Sequence, residues 1–115
     1  MKSIITEKSF QFALEIVNLY KELKSKNEFI LSKQILRSGT SIGANVEEAN
    51  AGQSRKDFIN KMSIALKEAR ESHYWLRLLN ESKLVTLDYS KYISLNEELI
   101  KILTSIVKTS QETKN

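Results

Sequence analysis

Apolar residues recur at steps of three and four along most of this sequence, the spacing that places them on one face of an α-helix. Four segments show it, at approximately residues 7–24, 28–51, 55–80 and 88–108. Proline, which helix interiors exclude, is absent from all 115 residues. The links are short and favour antiparallel neighbours, so we predict an all-α, antiparallel up-and-down four-helix bundle forming a single domain, residues 1–115.

The links carry residues that begin and end helices. Asn27 is predicted to cap the second helix, and Gly52 to end it in the left-handed conformation. Ser54 is the predicted N-cap of the third helix, with an acid three residues later in the capping-box position. Residues 84–87 have no second strand to pair with, so we interpret them as a tight connection before a fourth helix capped by Asp88.

Gly39 and Gly43 lie inside the second segment and allow two interpretations. The run SGTSIG either breaks the helix into a loop, or belongs to a continuous helix that approaches a neighbour closely. The helical spacing continues across both glycines, which favours the continuous helix. Each glycine then costs roughly 0.8–1 kcal/mol relative to alanine, which packing must offset.

Polar side chains of the second segment fall on its core-facing stripe. Four of them share a face with Leu31, Ile35 and Ile42: Ser38, Ser41, Asn45 and Glu48. Burying such groups without partners costs roughly 1–3 kcal/mol each. We therefore predict that they turn inward and find partners across the bundle.

Two acids of the third segment extend this network. Glu68 and Glu71 are three residues apart and so lie on one flank of a helix. A bidentate pair with Arg37 would tie the second helix to the third, and Asn45 is a further candidate partner. The predicted structural network comprises Arg37, Ser38, Ser41, Asn45, Glu48, Glu68 and Glu71. A different interpretation makes Glu68 and Glu71 the acid–base pair of a hydrolase.

Motifs for other chemistry are missing from the sequence. The run GTSIGA lacks the Lys-Ser/Thr of a phosphate-binding loop, and no strand precedes it. His73 is the only histidine, and Arg70 stands where a di-iron Glu-x-x-His motif needs glutamate. No cysteine is present to form a disulfide or a thiolate metal site. We predict no catalytic residue, no cofactor and no metal site, with His73 half-buried and hydrogen-bonded.

The net charge of +4 is mildly basic and spread along the chain, which permits a nucleic-acid partner without signalling one. Candidate contacts are Lys21, Lys24, Arg55, Lys56, Lys61, Lys67, Arg70 and Arg77. An antiparallel bundle places the end of the first helix and the start of the third at opposite ends, so one subunit keeps these charges dispersed. The alternative is a solvated basic face.

Aromatic residues and wide apolar stripes carry two further hints. Tyr74 and Trp75 lie beside Arg70 and Arg77, where bases could stack on them, although such a pair also suits a core or a subunit interface. The first and fourth helices are apolar over more than half their circumference, more than one bundle core needs. The surplus predicts a homo-oligomer.

Membrane and export segments are not evident in the sequence. No apolar run approaches the ~20 residues of a membrane span. The pair Ile4–Ile5 is far too short for a signal sequence. We therefore expect a cytoplasmic protein with no membrane partner.

The runs RSGTSIGANVEEA, SRKDFI and ALKEARESHYWL resemble the four-helix-bundle proteins encoded in intervening sequences of bacterial 23S ribosomal RNA genes. The resemblance covers nearly the whole chain and is strongest over residues 36–79. It implies a homopentamer. The accessory protein of diversity-generating retroelements is a more distant relative, a basic pentameric barrel that associates with a reverse transcriptase and nucleic acid.

The family's marked positions match residues that the resemblance assigns to fold and assembly: Arg37, Ser41, Ile42, Asn45, Glu48, Phe58, Ala65 and Glu71. Two positions depart from the family pattern, Ala49 where many members have glycine and Lys67 where many have a small residue. The favoured hypothesis is a non-enzymatic homo-oligomer, a pentamer by resemblance, whose symmetry gathers basic faces to bind RNA or DNA. The alternative is a protein–protein adaptor or structural oligomer with no nucleic-acid role.

Overall fold

Four α-helices make up nearly all of residues 3–112, which are the residues that the computed structural model describes. They are α1 (Ile4–Ser25), α2 (Leu31–Ala51), α3 (Arg55–Ser82) and α4 (Ser90–Glu112). Each helix packs against the next one, and α4 also packs against α1. This ring of neighbours, 50 Å long and 22 × 21 Å across, confirms the predicted all-α, up-and-down four-helix bundle.

The predicted apolar stripes form the core. In α1 the buried residues Phe12, Ile16, Leu19 and Leu23 follow the helical repeat, and each is at most 1% exposed. The other helices add residues of the same kind at the same spacing: Ile35, Ile42, Val46, Met62, Ala65, Ala69, Leu76, Leu79, Leu99 and Leu103. Burying each of the larger side chains contributes roughly 1.5–3 kcal/mol, so tertiary packing stabilises these helices more than propensity does.

Helix α2 is continuous through both glycines, as the spacing favours. Gly39 and Gly43 are buried where α2 crosses α1. A β-carbon at Gly39 would lie 2.9 Å from Cγ2 of Ile16, and one at Gly43 would lie 3.3 Å from the carbonyl oxygen of Ser9. The two glycines therefore set how closely α1 and α2 approach each other.

The start of α2 differs from the prediction. Asn27 does not cap it; this residue has φ 65° and belongs to the turn that leaves α1. Glu28 replaces it, because its Oε2 accepts the N–H groups of Ile30 and Leu31 at 3.2 and 3.1 Å, and its Oε1 accepts that of Ser32 at 2.6 Å. One buried carboxylate thus satisfies three backbone donors that a helix start leaves unpaired.

The end of α2 also differs from the prediction. Gly52 was expected in the left-handed conformation, but it is extended, with φ −64° and ψ 150°. The chain has to reach Ser54 within two residues, and an extended Gly52 carries it there. Ser54 then caps α3 as predicted, because its hydroxyl accepts the N–H of Asp57 at 3.1 Å. The left-handed helix end belongs to Lys83 after α3, with φ 55°.

The connection from α3 to α4 packs back onto the bundle. No strand forms within the described part of the chain, and Val85 and Tyr89 are buried instead. The Tyr89 hydroxyl donates to the carbonyl of Val85 at 2.8 Å. Burial raises the pKa of Tyr89, and the nearby charges of Glu28 and Glu22 raise this pKa further. The α1–α2 and α3–α4 links therefore meet at the same end of the bundle.

Asp88 lies at the start of α4, where the sequence placed a cap. Its Oδ1 accepts the N–H of Ser90 at 3.0 Å and the hydroxyl of Ser90 at 2.6 Å. These bonds hold the pKa of Asp88 below its usual range. Between residues 3 and 112, none of the helices has the length and apolar character needed to cross a membrane.

Candidate functional site

Arg37 of α2 reaches across to both acids of α3. Its Nη2 donates to Oε2 of Glu71 in a short hydrogen bond, and its Nη1 lies 3.2 Å from Oε1 of Glu68. The second contact is an ion pair without the alignment of a hydrogen bond, since Oε1 of Glu68 has no hydrogen-bond partner. The side chain of Arg37 is 51% exposed, whereas that of Glu68 is 14% exposed. The pair thus closes the outer edge of the α2–α3 seam.

Trp75 adds a second donor to this cluster. Its indole Nε1 donates to Oε2 of Glu71 at 3.1 Å, one turn further along α3. This bond and the Arg37 guanidinium hold the pKa of Glu71 below its usual range, although partial burial opposes them. The bond to Glu71 likewise raises the pKa of Arg37. Glu71 is therefore an ionised acceptor that orients two side chains.

Ser38 makes the buried contact of the α2–α3 seam. Its hydroxyl accepts a hydrogen bond at 2.9 Å from the hydroxyl of Ser72 on α3, and both residues are fully buried. A second buried polar contact joins α3 to α4, where Nδ2 of Asn96 donates to the carbonyl of Ala69 at 3.1 Å. These two bonds join α3 to each of its neighbours inside the core.

The structure corrects three members of the predicted network. Ser41 and Asn45 lie at the boundary of the core and bond to their own helix: the Ser41 hydroxyl donates to the carbonyl of Arg37 at 2.6 Å, and Asn45 Nδ2 donates to that of Ser41 at 2.9 Å. Asn45 therefore does not satisfy Glu68 or Glu71 through this amide. Glu48 is exposed and pairs with Lys61 of α3 at 2.8 Å. Short polar side chains such as those of Ser41 and Asn45 can hydrogen-bond to the backbone carbonyl four residues earlier, so they do not need a partner across the bundle.

The acids that could serve as an acid–base pair are both engaged. Glu71 accepts from Arg37 and Trp75, and Glu68 faces Arg37. This arrangement suits a structural tie between α2 and α3. Across residues 3–112, no three metal-binding side chains converge on one point. His73 is 28% exposed, and its Nε2 lies 3.4 Å from Oε2 of Glu97 on α4.

Replacing Glu71 with glutamine is expected to destabilise the protein by about 1 kcal/mol at neutral pH, a value reduced for the solvent exposure of Arg37. Because folding lowers the pKa of Glu71, its carboxylate stabilises the fold fully above about pH 5 and loses this effect as the pH falls through the lowered pKa. The stability difference between the wild type and E71Q should therefore shrink on acidification. Urea unfolding at several pH values measures it.

Glu98→Gln is the matched control for this series. Glu98 pairs with Lys8 at 3.1 Å, but both side chains are more than 40% exposed. Such a pair contributes about 0–1 kcal/mol, so E98Q should unfold close to the wild type at every pH. A difference between wild type and E71Q that stayed constant down to pH 2 would contradict the ionised role of Glu71.

The predicted basic contacts are dispersed over the bundle. The Nζ atom of Lys24 lies 5.2 Å from the centroid of the Tyr20 ring, and the exposed Lys21 is one turn away on α1. Arg55 and Lys56 are exposed at the start of α3, at the other end of the bundle. The 21 residues of α2 separate the two ends by about 30 Å. One subunit therefore does not combine these four charges into a patch.

The remaining basic contacts lie along α3. Lys61 is paired with Glu48, and Arg77 pairs with Glu81 at 3.5 Å. Lys67 is exposed and close enough to Glu71 to contribute to lowering its pKa. Arg70 lines an open groove between α3 and α4 together with His73, Glu97, Ile100 and Lys101.

Several residues of these sites were missed in the sequence. Ser72 and Asn96 lie on apolar stripes, but nothing local identifies Ser38 and Ala69 as their partners. Trp75 lies four residues after Glu71, and that spacing alone could have indicated a contact on one helix face. Lys101 gives no such signal, because the groove that it lines exists only once α3 and α4 are packed together.

Comparisons with known proteins assign the chain to a family. A crystal structure of a protein with unknown function from the S23 ribosomal protein family of Bacteroides thetaiotaomicron VPI-5482 superposes with a TM-score of 0.87. It is 53% identical in sequence, over 91% of this chain and 99% of that one. No functionally curated protein matches the sequence. The family model of the 23S rRNA-intervening sequence proteins matches the sequence over residues 1–105, and the chain therefore belongs to that family.

Proposed function

We propose that this protein is a non-enzymatic homo-oligomer of five subunits that binds nucleic acid through basic faces gathered by symmetry. The observation that carries the proposal is a pair of large apolar side chains exposed one turn apart on α1, Phe10 at 58% and Leu14 at 52%. We call this pair the α1 ridge. An exposed apolar strip beside a groove is typical of a protein–protein contact.

The surface beside the α1 ridge is shaped to receive another chain. A groove between α1 and α2 is lined by Phe10, Ala13, Thr40, Gly43, Ala44 and Glu47. Most of these side chains are small, so a neighbouring helix can approach the backbone closely. A ring of five requires heterologous contacts, in which one surface meets a different surface of the next subunit. The α1 ridge and its groove supply one of the two surfaces.

Replacing Phe10 with aspartate is expected to shift the native mass from about five times the 13.2 kDa subunit to a single subunit. A charge at the centre of an apolar contact loses its hydration without gaining a partner, and this cost opposes assembly. Light scattering coupled to size-exclusion chromatography measures the mass, and circular dichroism checks that the helices remain.

Asn60→Asp is the control for this variant, since Asn60 is an exposed residue of α3, a helix that does not pack against α1. It adds the same charge outside the ridge and should leave the mass unchanged. An F10D protein that keeps its helices and the mass of the wild type would exclude the α1 ridge from the interface. A wild-type monomer would refute the oligomer itself.

The proposed binding of nucleic acid is supported by the net positive charge of the protein. A ring of five subunits, each with a net charge of +4, concentrates a positive field that one subunit lacks. Binding should weaken steeply with salt, with a slope of about −0.7 to −0.9 for each phosphate neutralised. Fluorescence anisotropy with labelled RNA and DNA between about 50 and 200 mM salt measures it. No binding at ~50 mM salt, or an affinity that does not change with salt, would refute the proposed nucleic-acid binding.

A protein partner is the second candidate function. Three large apolar side chains are exposed at the end of the bundle where the two links meet: Phe29 at 48%, Ile30 at 74% and Leu84 at 61%. These residues favour an adaptor that holds another polypeptide by this end. Co-purification of one discrete polypeptide with no nucleic acid, abolished by Ile30→Asp, would support the adaptor over the nucleic-acid binder.

A further inference from the structure

An open groove of about 610 Å³ runs along the outer surface between α3 and α4. Helix α3 provides Arg70 and His73, and α4 provides Glu97, Ile100 and Lys101. We call this surface the α3–α4 groove. It lies on another side of the bundle from the α1–α2 groove, and it brings together cations that are 31 positions apart in the sequence.

The two cations of the α3–α4 groove are not neutralised. Arg70 and Lys101 are exposed, and neither forms an ion pair with any residue from 3 to 112. Some lysines elsewhere on the surface have carboxylate partners, such as Lys91, which pairs with Glu15 at 3.1 Å. The acid of the groove, Glu97, faces His73. Two positive charges therefore remain available for an anion.

An exposed aromatic ring lies one helical turn from Arg70, in a second surface pocket that Tyr74 lines with Arg77, Leu78 and Glu81. Tyr74 is 54% exposed, and it follows Arg70 by four residues, so both project from the same side of α3. Its ring and that of Trp75 pack in a T-shaped arrangement, with the centroids 5.1 Å apart and the planes at 72°. Trp75 is itself held by Glu71. Tyr74 is thus a supported ring with a solvent-facing surface.

We infer that the α3–α4 groove binds single-stranded nucleic acid, with backbone phosphates at Arg70 and Lys101 and a base stacked on Tyr74. The inference rests on the proposed function and deepens it by naming the surface and the kind of strand. Cationic grooves with neighbouring aromatic rings are the arrangement that holds unpaired strands, because unpaired bases have free faces to stack. A duplex keeps its bases stacked inside and gains only the phosphate contacts.

Replacing Glu97 tests the inference by a gain in affinity, which partial unfolding of the protein would not produce. Its carboxylate lies at the same groove and repels a phosphate held by Arg70 and Lys101. Glu97→Gln should therefore tighten binding by about two- to threefold at low salt. Under these conditions, salt screens the repulsion between the Glu97 carboxylate and a phosphate in the same groove only partly. A merely structural His73–Glu97 contact would leave affinity unchanged or lower it.

The test uses the full chain and a labelled single-stranded oligonucleotide of mixed sequence, with its duplex as competitor. R70A/K101A should weaken binding by at least about tenfold and reduce the salt slope by about 1.4, since each lost phosphate contact removes about 0.7. Y74A should weaken single-strand binding by about tenfold with an unchanged salt slope. Y74F should match the wild type because it keeps the ring.

K26A/K33A is the matched control, since it removes two exposed positive charges from outside the α3–α4 groove. It should change affinity far less than R70A/K101A, with all variants at the wild-type native mass. If the wild type binds but R70A/K101A and Y74A bind equally well, the groove is refuted and the proposed function stands. If the wild type binds the duplex as tightly as the single strand, the single-strand assignment is refuted. If it binds neither, the nucleic-acid function fails as a whole.

Discussion

Gly39→Ala is expected to lower the free energy of unfolding by about 2 kcal/mol, even though alanine favours helix by about 1 kcal/mol over glycine. The added methyl would lie 2.9 Å from Cγ2 of Ile16, closer than real contacts permit, and 3.0 Å from Cγ1, which is also a tight contact. Ile16 is fully buried and β-branched, so it has no free rotamer to move into. Helices α1 and α2 must therefore separate locally.

Urea unfolding at one fixed protein concentration measures this loss as a shifted midpoint with an unchanged slope. Ile16→Ala supplies the second arm of a double-mutant cycle, because it removes the atoms that the new methyl would meet. I16A alone should cost about 2–5 kcal/mol, and adding G39A to it should cost little or even restore stability. An alanine at position 39 that stabilised the wild type, as helix propensity alone requires, would show that α1 and α2 do not approach so closely.

Gly43→Ala provides a milder comparison in the same helix. Its β-carbon would lie 3.3 Å from the carbonyl oxygen of Ser9, so a shift of a few tenths of an ångström relieves the contact. The gain in helix propensity of about 1 kcal/mol nearly offsets such strain. We expect a change in stability well below that of G39A, measured in the same titration.

The bundle was predictable because its signal is local and repeated. Residues such as Phe12, Ile16 and Leu19 are spaced so that any helix must present them together, and such a stripe has to be buried. The continuity of α2 followed from the same repeat across Gly39 and Gly43. Helix ends are less regular, because Glu28 reaches the backbone donors of α2 through a long side chain that no spacing rule favours over Asn27.

The polar contacts were predictable only where position forced burial. Ser38 lies at the centre of the α2 stripe and is fully buried, whereas Ser41 and Asn45 lie at its margin and satisfy themselves on their own helix. The partner of Ser38 depends on how far α3 is shifted along α2, and that quantity arises from the packing of all four helices. The same holds for Arg70 and Lys101, which become neighbours only through the placement of α3 against α4.

Glu28→Ala is expected to destabilise the protein by about 2–3 kcal/mol, since it leaves the N–H groups of Ile30, Leu31 and Ser32 without their charged acceptor. Ile30 at the N-cap position has no side-chain oxygen to replace it, and its backbone is already helical. Helix α2 should then fray from its start, which loosens Ser32 and its hydroxyl bond of 2.9 Å to the carbonyl of Glu28. Unfolding by urea gives the overall loss, and amide hydrogen exchange locates it.

Glu28→Gln separates the charge of this cap from its shape. Glutamine keeps one acceptor oxygen and the length of the side chain, so it should retain part of the stability, between the wild type and E28A. Tyr89 offers a spectroscopic readout of the same charge, because Glu28 contributes, after burial, to raising the pKa of its hydroxyl. Ultraviolet titration should find that this pKa falls towards its ordinary value in both variants. If E28A were as stable as the wild type and protected the first turn of α2 equally well, water would be capping this helix, and the buried carboxylate would have no role at its start.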